Sequence, residues 1–291
     1  MALRRFTAEG SPSGTTLTAA NSGTGSGDAL NTVFRANGAT VAYSNVQAKR
    51  GLQSLLVTAT AAIDEAILGF SGMTANNAAL EFYIYLSSGP SLGATQIGQI
   101  RATGGIATYS LSTARVLTVL NAASSGVMTF ASPLSLNTWY RIALRAVPGT
   151  TTTNGTIEAA YYLGDSTTPV EPVFSSTAAN AGVGGPGTVT DGRFGKLNGA
   201  GDLIAYFDDP SVLDNSVGFI GPTTVSTLKP AASRLTGGSW KGATFYRRTG
   251  GVWKTAILYR RIGGVWVRAD TPPSAGLGAQ PLGTSAFGGT A

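Results

Sequence analysis

The side chains available for chemistry are restricted in this sequence of 291 residues, because it contains no histidine and no cysteine. Imidazole general bases, thiolate nucleophiles, disulfides and the usual zinc, haem and iron–sulfur sites are therefore excluded. Carboxylate and carbonyl oxygens remain, and these are the ligands of calcium. The sequence thus predicts no cofactor, and oxygen-ligand cations such as calcium remain possible.

The adjacent acids Asp208 and Asp209 form the candidate metal site. Neighbouring residues of a regular strand point to opposite faces, so these two carboxylates cannot converge on one substrate atom as a catalytic pair would. Calcium takes about 6–8 oxygen ligands, which must come from several loops. We therefore interpret Asp208 and Asp209 first as structural residues and second as part of a calcium site, and we expect no catalytic residue.

Basic and aromatic residues recur near the C-terminus in two copies of one motif, with a period of 13 residues. The copies are Tyr246-Arg-Arg-Thr-Gly-Gly-Val-Trp and Tyr259-Arg-Arg-Ile-Gly-Gly-Val-Trp. In each copy β-forming residues flank a Gly-Gly pair, which predicts a β-hairpin with a glycine turn. The candidate docking residues are Arg247, Arg248, Trp253, Arg260, Arg261 and Trp266.

The positive charge of the chain is concentrated around this repeat. From Lys229 onward the chain has nine Lys or Arg and one acid, whereas residues 1–228 have 11 bases and 13 acids. Alternation in a hairpin is expected to place the aromatic and the basic residues on separate faces, so we favour docking on an acidic neighbour. The alternatives are a cell-surface polymer and nucleic acid, of which nucleic acid is the less favoured.

The elements that position these residues are predicted to be strands. Charged residues make up 12% of the chain, about half of the roughly 25% found in an average soluble domain. The 40 glycines and 13 prolines favour tight turns between short strands. The predicted strands are Thr40–Tyr43, Ser54–Ala59, Ala79–Leu86, Gln96–Ala102, Thr108–Leu111, Val116–Leu120, Thr138–Arg145, Gly155–Leu163 and Leu203–Val212.

Several of these strands alternate apolar and polar residues with period two. This alternation is seen in Glu81–Tyr85 and in Trp139–Arg145, and it is typical of half-buried antiparallel strands. Many short strands of this kind favour two packed sheets over one open sheet. The stretch Thr60–Leu68 suits either a short helix or a strand.

Three units are predicted along the chain. The body of the sandwich extends from Thr7 to Gly221 and includes a polar loop at 10–28. We recognise no secretory signal at the start, and no apolar run approaches the roughly 18 residues of a membrane span. The units are a jelly-roll β-sandwich domain with its N-terminal loop over 1–228, a basic β-hairpin repeat unit over 229–270 and a Gly/Ala/Pro-rich tail over 271–291.

Three stretches of the body carry a family resemblance. They are Lys49-Arg-Gly-Leu-Gln-Ser-Leu-Leu-Val57, Asn137-Thr-Trp-Tyr-Arg-Ile142 with the hairpin after it, and Arg193-Phe-Gly-Lys196 leading to Ala205-Tyr-Phe-Asp-Asp-Pro-Ser-Val212. In this order they resemble the concanavalin-like, laminin-G-type jelly roll found in many phage structural proteins. The Arg-Arg-x-Gly-Gly-Val-Trp repeats resemble C-terminal modules of minor tail proteins in actinobacterial phages. The resemblance implies an all-β, concanavalin- or laminin-G-like jelly roll.

The same resemblance implies a non-enzymatic virion protein, a minor tail protein used in particle assembly and in adhesion to the host surface, where it would bind a glycan. A capsid decoration protein is the alternative. A carbohydrate-active enzyme is the least favoured, because the Glu-x-Asp-x-x-Glu strand of concanavalin-like glucanases does not occur here. The implied partners are other virion proteins and further copies of this chain, as in a trimer. The implied location is the virion, after assembly in the host cytoplasm.

Overall fold

The computed structural model describes residues 2–23, 27–151, 154–177 and 187–222, and the backbone of four strands between 245 and 268. The chain divides into two compact units, Met1–Thr224 and Val225–Ala291, which are considered separately. Among the described residues, no helix has the length and apolar character needed to cross a membrane. The predicted tail over 271–291 lies outside the described residues.

The first unit is built almost entirely from strands, because its sequence alternates apolar and polar residues between turns. One helical turn, α1 Ala19–Ser22, lies in the N-terminal loop and is capped by Thr18, whose side chain accepts a hydrogen bond from the backbone amide of Asn21. The strands of this unit are β1 Leu3–Arg5, β2 Thr32–Ala36, β3 Thr40–Ser44, β4 Ser54–Ala59, β5 Glu65–Phe70, β6 Ala78–Ser88, β7 Thr95–Arg101, β8 Gly105–Leu111, β9 Leu117–Asn121, β10 Gly126–Thr129, β11 Trp139–Pro148, β12 Gly155–Leu163, β13 Phe174–Ser176, β14 Asp191–Gly199 and β15 Leu203–Asp214.

These strands form two antiparallel sheets. In the eight-stranded sheet the order is β13-β12-β11-β6-β15-β4-β3, with β1 paired to β15. In the seven-stranded sheet the order is β10-β9-β8-β7-β14-β5-β2. Tyr109 on β8 connects the sheets, because its hydroxyl lies 3.1 Å from the carbonyl oxygens of Ala143 and Ala160 on β11 and β12. This arrangement confirms the prediction of an all-β jelly-roll sandwich.

The core between the two sheets is apolar and closely packed. Phe82, Phe194 and Phe207 come from β6, β14 and β15, and their ring centroids lie between 5.6 and 6.1 Å apart. Gly98 on β7 leaves room for one of these rings, since a Cβ there would lie 2.8 Å from Cε1 of Phe82. Because alternate residues of a strand point to opposite faces, the residues between the core positions lie on the outer faces of the sheets.

The stretch Thr60–Leu68, which by sequence suits a helix or a strand, leads into strand β5. This strand pairs with both β2 and β14, and Ala66, Leu68 and Phe70 are buried in the core. Two ladders of backbone hydrogen bonds and the burial of alternate residues outweigh the helix propensity of the stretch, because propensity is a weak preference that tertiary contacts override.

The second unit contains two hairpins, as the repeats predict. Strand β16 Phe245–Thr249 pairs with β17 Val252–Ala256, and β18 Tyr259–Ile262 pairs with β19 Val265–Arg268. In both hairpins the Gly-Gly pair of the repeat stands between the two strands. The prediction of a small C-terminal β-hairpin unit is therefore confirmed.

Candidate functional site

The outer face of the seven-stranded sheet carries a group of charged and polar side chains. Arg101 on β7 is the direct cross-strand partner of Asp191 on β14, and Gln99 is the partner of Arg193. On the other side of β7, Gln99 is the cross-strand partner of Thr108 on β8. Direct cross-strand partners share one face of a sheet. We call these five residues the arginine face.

The arginine face results from alternation along two neighbouring strands. Ile100 on β7 and Phe194 on β14 are fully buried in the core. The residues next to them, Arg101 and Arg193, therefore point away from the core. Both arginines are half-buried, so each guanidinium lies at the surface of the sheet with part of its hydration removed.

The Gln99 amide is held in place on this face by a glycine and a hydroxyl. A Cβ at Gly105 would lie 2.4 Å from Nε2 of Gln99, so the missing side chain leaves the space that the amide occupies. Nε2 then donates a hydrogen bond to Oγ1 of Thr108 at 3.0 Å. A side-chain amide fixed in this way is preorganised for hydrogen bonding to a ligand.

The arginine face has more positive than negative charge. Nη2 of Arg193 donates to Oδ2 of Asp191 at 3.1 Å, and Arg101 is the cross-strand partner of the same Asp191, so two guanidinium groups lie beside one carboxylate. Nε of Arg101 and Nε of Arg193 are buried and have no hydrogen-bond partner among the described residues. Burial, and then the positive charge of Arg193, lower the pKa of Arg101. An anion bound here would reduce the repulsion between the arginines.

Hydrogen-bonding side chains continue across the sheet from the arginine face. The register aligns Thr32 on β2 with Gly69 on β5, which is aligned in turn with Arg193, Gln99 and Thr108. Neighbouring strands lie about 4.8 Å apart, so Thr32 and Thr108 are about 19 Å from each other. This row suits an extended ligand that crosses the strands.

An apolar patch lies beside this row on the same outer face. Phe34 on β2 is 48% exposed, and it is the cross-strand partner of the half-buried Ile67 on β5. Phe34 stands two residues from Thr32 and therefore shares its face. Sugar rings have both polar hydroxyl edges and apolar C–H faces, so the row and the patch together match the two kinds of surface that a sugar chain presents.

The candidate metal site, Asp208 and Asp209, lies in β15 of the other sheet, at a β-bulge. Oδ2 of Asp208 accepts hydrogen bonds from the backbone amides of Lys49 and Arg50, each at 2.7 Å. Asp209 has a φ of 48° and its carboxylate lies 3.3 Å from Nε of Arg5. The bulge explains how both acids of one strand can be buried. No group of three or more His, Cys, Asp or Glu within the described residues is placed to bind a metal.

Asp208 holds the loop before β4 against the sheet, and this gives a prediction. It is fully buried, and burial above all raises its pKa well above the usual value. Asp208→Asn keeps an oxygen that accepts from both amides, so we expect a loss of less than about 1 kcal/mol. Asp208→Ala leaves the amides unpaired and is expected to cost about 2 kcal/mol. Urea unfolding with and without calcium measures both variants. An equal loss in the two variants, or a loss that depends on calcium, would show that the negative charge itself is needed.

The register of the hairpins places the arginines of the repeats on both faces. In the register of β16 and β17, Arg248 is opposite Trp253 and Arg247 is opposite Lys254. In β18 and β19, Arg261 is opposite Trp266. The expectation that aromatic and basic residues occupy separate faces is therefore wrong, because it considered alternation along each strand without the pairing between strands.

Sequence analysis did not identify the arginine face. The strand Gln96–Ala102 is predicted, and Arg193 lies in a stretch used for the resemblance, so the alternation that turns both arginines outward is present in the sequence. Nothing local shows that β7 and β14, about 90 residues apart, are neighbours in the sheet. The sequence does show polar residues at alternate positions of both strands. It does not show that the two strands pair, because this pairing is long-range.

Neither a protein-family model nor a curated protein matches the sequence. Similar solved structures include an endo-β-1,4-glucuronan lyase from the fungus Trichoderma reesei, with 14% identity and a TM-score of 0.48, covering 63% of this chain and 90% of that chain. A variant of the alginate lyase Aly36B in complex with alginate tetrasaccharide has 9% identity and a TM-score of 0.49, covering 73% and 96%. A sialidase variant from Trypanosoma rangeli has 14% identity and a TM-score of 0.39, covering 67% and 33%.

These structures contradict the prediction of a non-enzymatic phage tail protein, and the alternative of a capsid protein with it. Those named are polysaccharide lyases, a cellulose-induced protein and sialidases, and no virion protein is among them. The prediction is wrong because it transferred a biological setting from strand motifs that are ordinary core residues of a sandwich. At these identities the likeness shows the fold alone, so the function has to be built from the residues of this chain.

Proposed function

We propose that this chain binds an anionic polysaccharide of the polyuronate class on the arginine face. The observation that carries the proposal is the charge of that face. Asp191 forms an ion pair with Arg193 and is the cross-strand partner of Arg101, so two guanidinium groups lie beside one carboxylate and the face keeps an excess positive charge. A carboxylate from a ligand completes this arrangement.

The guanidinium groups favour a carboxylate for geometric reasons as well. Arginine presents its donors in a planar fork that matches the two oxygens of a carboxylate. A hydrogen bond to a charged group contributes about 1.5–3 kcal/mol, and partial removal from water strengthens the attraction. Arg101 and Arg193 are fixed on adjacent strands, so little conformational freedom is lost when the ligand binds.

The extent of the row supports a polymer over a small anion. Phosphate or acetate would use only the two arginines. Thr32 and Gln99 add hydrogen-bonding groups over about 14 Å of sheet, and Phe34 adds an apolar surface beside them. A chain of sugars that carry one carboxylate each would use all of these groups.

Binding at this face also bears on catalysis. Neutralising the carboxylate of a uronate makes the proton on the adjacent carbon more acidic, because the positive charges stabilise the negative charge that develops there. This is the first requirement for cleaving a polyuronate by β-elimination. Turnover is therefore measured beside binding.

The test compares two forms of one polymer. We expect the protein to bind polygalacturonate and to bind its fully methyl-esterified form at least about tenfold more weakly, since the ester removes the charge and keeps the sugar backbone. Isothermal titration calorimetry gives both affinities, and dextran serves as the neutral control. Equal affinity for the charged and esterified forms would refute the proposal. Ultraviolet absorbance of an unsaturated product in the same samples reports β-elimination.

A further inference from the structure

The register of the first C-terminal hairpin brings a tyrosine, an arginine and a tryptophan to one face. Arg248 is directly opposite Trp253, and direct cross-strand partners share a face. Tyr246 stands two positions before Arg248 on the same strand and therefore shares it as well. Arg247 is on the other face, opposite Lys254.

The second hairpin places the same residue types in the same positions. Arg261 is opposite Trp266, and Tyr259 is two positions before Arg261. The unit therefore has one set of Tyr, Arg and Trp on each hairpin. We call these two sets the Tyr–Arg–Trp faces.

The opposite faces of the hairpins are repeated only in part, with Arg247 of the first hairpin matched by Arg260 of the second. The position of Lys254 is taken by Val267 in the second hairpin, and that of Thr249 by Ile262. A hairpin needs β-forming residues and a turn, which many residue types provide. Basic residues therefore repeat on both faces, whereas the tyrosine and the tryptophan repeat on one face alone. A repeated pair of aromatic residues with an arginine between them indicates recognition of a ligand that itself repeats.

We infer that the Tyr–Arg–Trp faces bind further units of the same polyuronate chain, an inference that rests on the proposed function. The segment from Lys229 onward has nine bases and one acid, so its ligand is an anion. Arginine pairs with carboxylates, and aromatic rings pack against the C–H faces of sugars.

Two binding units in one chain give a specific length dependence. Once one unit holds a long polymer, the other meets it at high effective concentration, which raises the overall affinity by about 10²- to 10⁴-fold. A short oligosaccharide that occupies one unit gains nothing. Single-stranded nucleic acid is also bound by aromatic and basic residues on one face. It is not the ligand that we propose for the arginine face, so we favour the polyuronate.

The hairpins offer matched variants for the experiment. Arg248→Ala with Arg261→Ala removes two charges from the Tyr–Arg–Trp faces, and Arg247→Ala with Arg260→Ala removes the same two charges from the opposite faces. Both pairs are made in the full chain, and circular dichroism checks that each is folded. The ligands are long polygalacturonate, a short oligogalacturonate and oligo(dT).

We expect the 248/261 pair to weaken polymer binding by at least about tenfold, to leave oligogalacturonate binding at the arginine face unchanged, and to differ from the 247/260 pair. Equal weakening by both pairs would show a non-specific charge effect and overturn the inference. Unchanged polymer binding of the 248/261 pair would also overturn the inference. The same holds if the wild-type protein binds oligo(dT) more tightly than the polymer and only the 248/261 pair loses this binding. Failure of the proposed function is distinguishable, because Arg101→Gln with Arg193→Gln would then leave oligogalacturonate binding unchanged.

Discussion

Replacing Arg141 by leucine is expected to lower the free energy of unfolding by about 3–5 kcal/mol, because it leaves a buried carboxylate without its counter-charge. Nη1 of Arg141 lies 2.7 Å from Oε2 of Glu81, and both side chains are less than 5% exposed. The guanidinium also stacks 3.8 Å from the ring centroid of Tyr162. Urea unfolding of the variant beside the wild-type protein measures the loss.

The loss should depend on pH, with a sign that follows from Glu81. Burial raises the pKa of Glu81 above its usual value, and Arg141 opposes this rise. Without Arg141 the pKa rises further, so the folded variant holds a proton that the unfolded chain releases above about pH 4.3. Its stability relative to the wild-type protein then falls as the pH rises through this window and recovers on acidification.

The double variant Glu81→Leu with Arg141→Leu is the control for this effect. It removes both charges together, and replacing a buried pair by apolar residues is often neutral or stabilising. We expect it to recover most of the loss of Arg141→Leu and to show no comparable pH dependence. A deficit of the same size at every pH would mean that lost packing on Tyr162, rather than the unpaired carboxylate, explains the single variant.

The same ion pair explains why the two outer faces of the sandwich differ. Glu81 and Arg141 lie on the outer face of the eight-stranded sheet, yet they are buried because the chain after β15 covers them. Gly221 donates its amide to Oε1 of Glu81 at 2.8 Å, and Phe219 packs against Ala143 and Ala160. The ion pair of this face is covered by the chain itself. Arg101 and Arg193 are only half-buried at the surface of their sheet, and this is why we place ligand binding there.

Strands with clear alternation could be predicted from the sequence at the residue level. Ser54–Ala59 and Gly155–Leu163 have the predicted bounds, since apolar and polar residues alternate between glycines and polar turns. β2 was missed because Thr32–Ala36 has an arginine and an exposed phenylalanine at the edge of its sheet. An edge strand buries little of either face, so its sequence need not alternate strongly.

Sites that depend on pairing could be predicted only in part. The basic and aromatic residues of the repeats are visible in the sequence, but their faces depend on which residues are opposite one another. The arginine face depends on β14 lying beside β7. Strand order is set by the packing of the whole sandwich, which local patterns do not determine.

Replacing both Arg101 and Arg193 by glutamine is expected to weaken polygalacturonate oligomer binding by at least about a hundredfold. Each substitution removes one charge-assisted interaction of about 1.5–3 kcal/mol. Glutamine keeps a hydrogen-bonding side chain of similar volume, so the sheet should remain folded. Arg35→Gln is the control, because it removes one charge from the exposed edge strand of the same sheet. We expect that control to change the affinity by less than about twofold, as a surface charge outside the site would.

Asp191→Asn should have the opposite effect and tests the charge argument most directly. Asp191 competes with the ligand for Arg193, at 3.1 Å from its Nη2. Removing this negative charge frees the arginine, so the affinity for the oligomer should rise while the double arginine variant loses it. Calorimetry is done at low and at physiological salt. Both effects should diminish at the higher salt concentration, because salt screens the charges. Weaker binding of Asp191→Asn would show that Asp191 positions Arg193 for the ligand. Unchanged binding in both arginine-face variants, the double arginine variant and Asp191→Asn, would place the polysaccharide elsewhere on the protein.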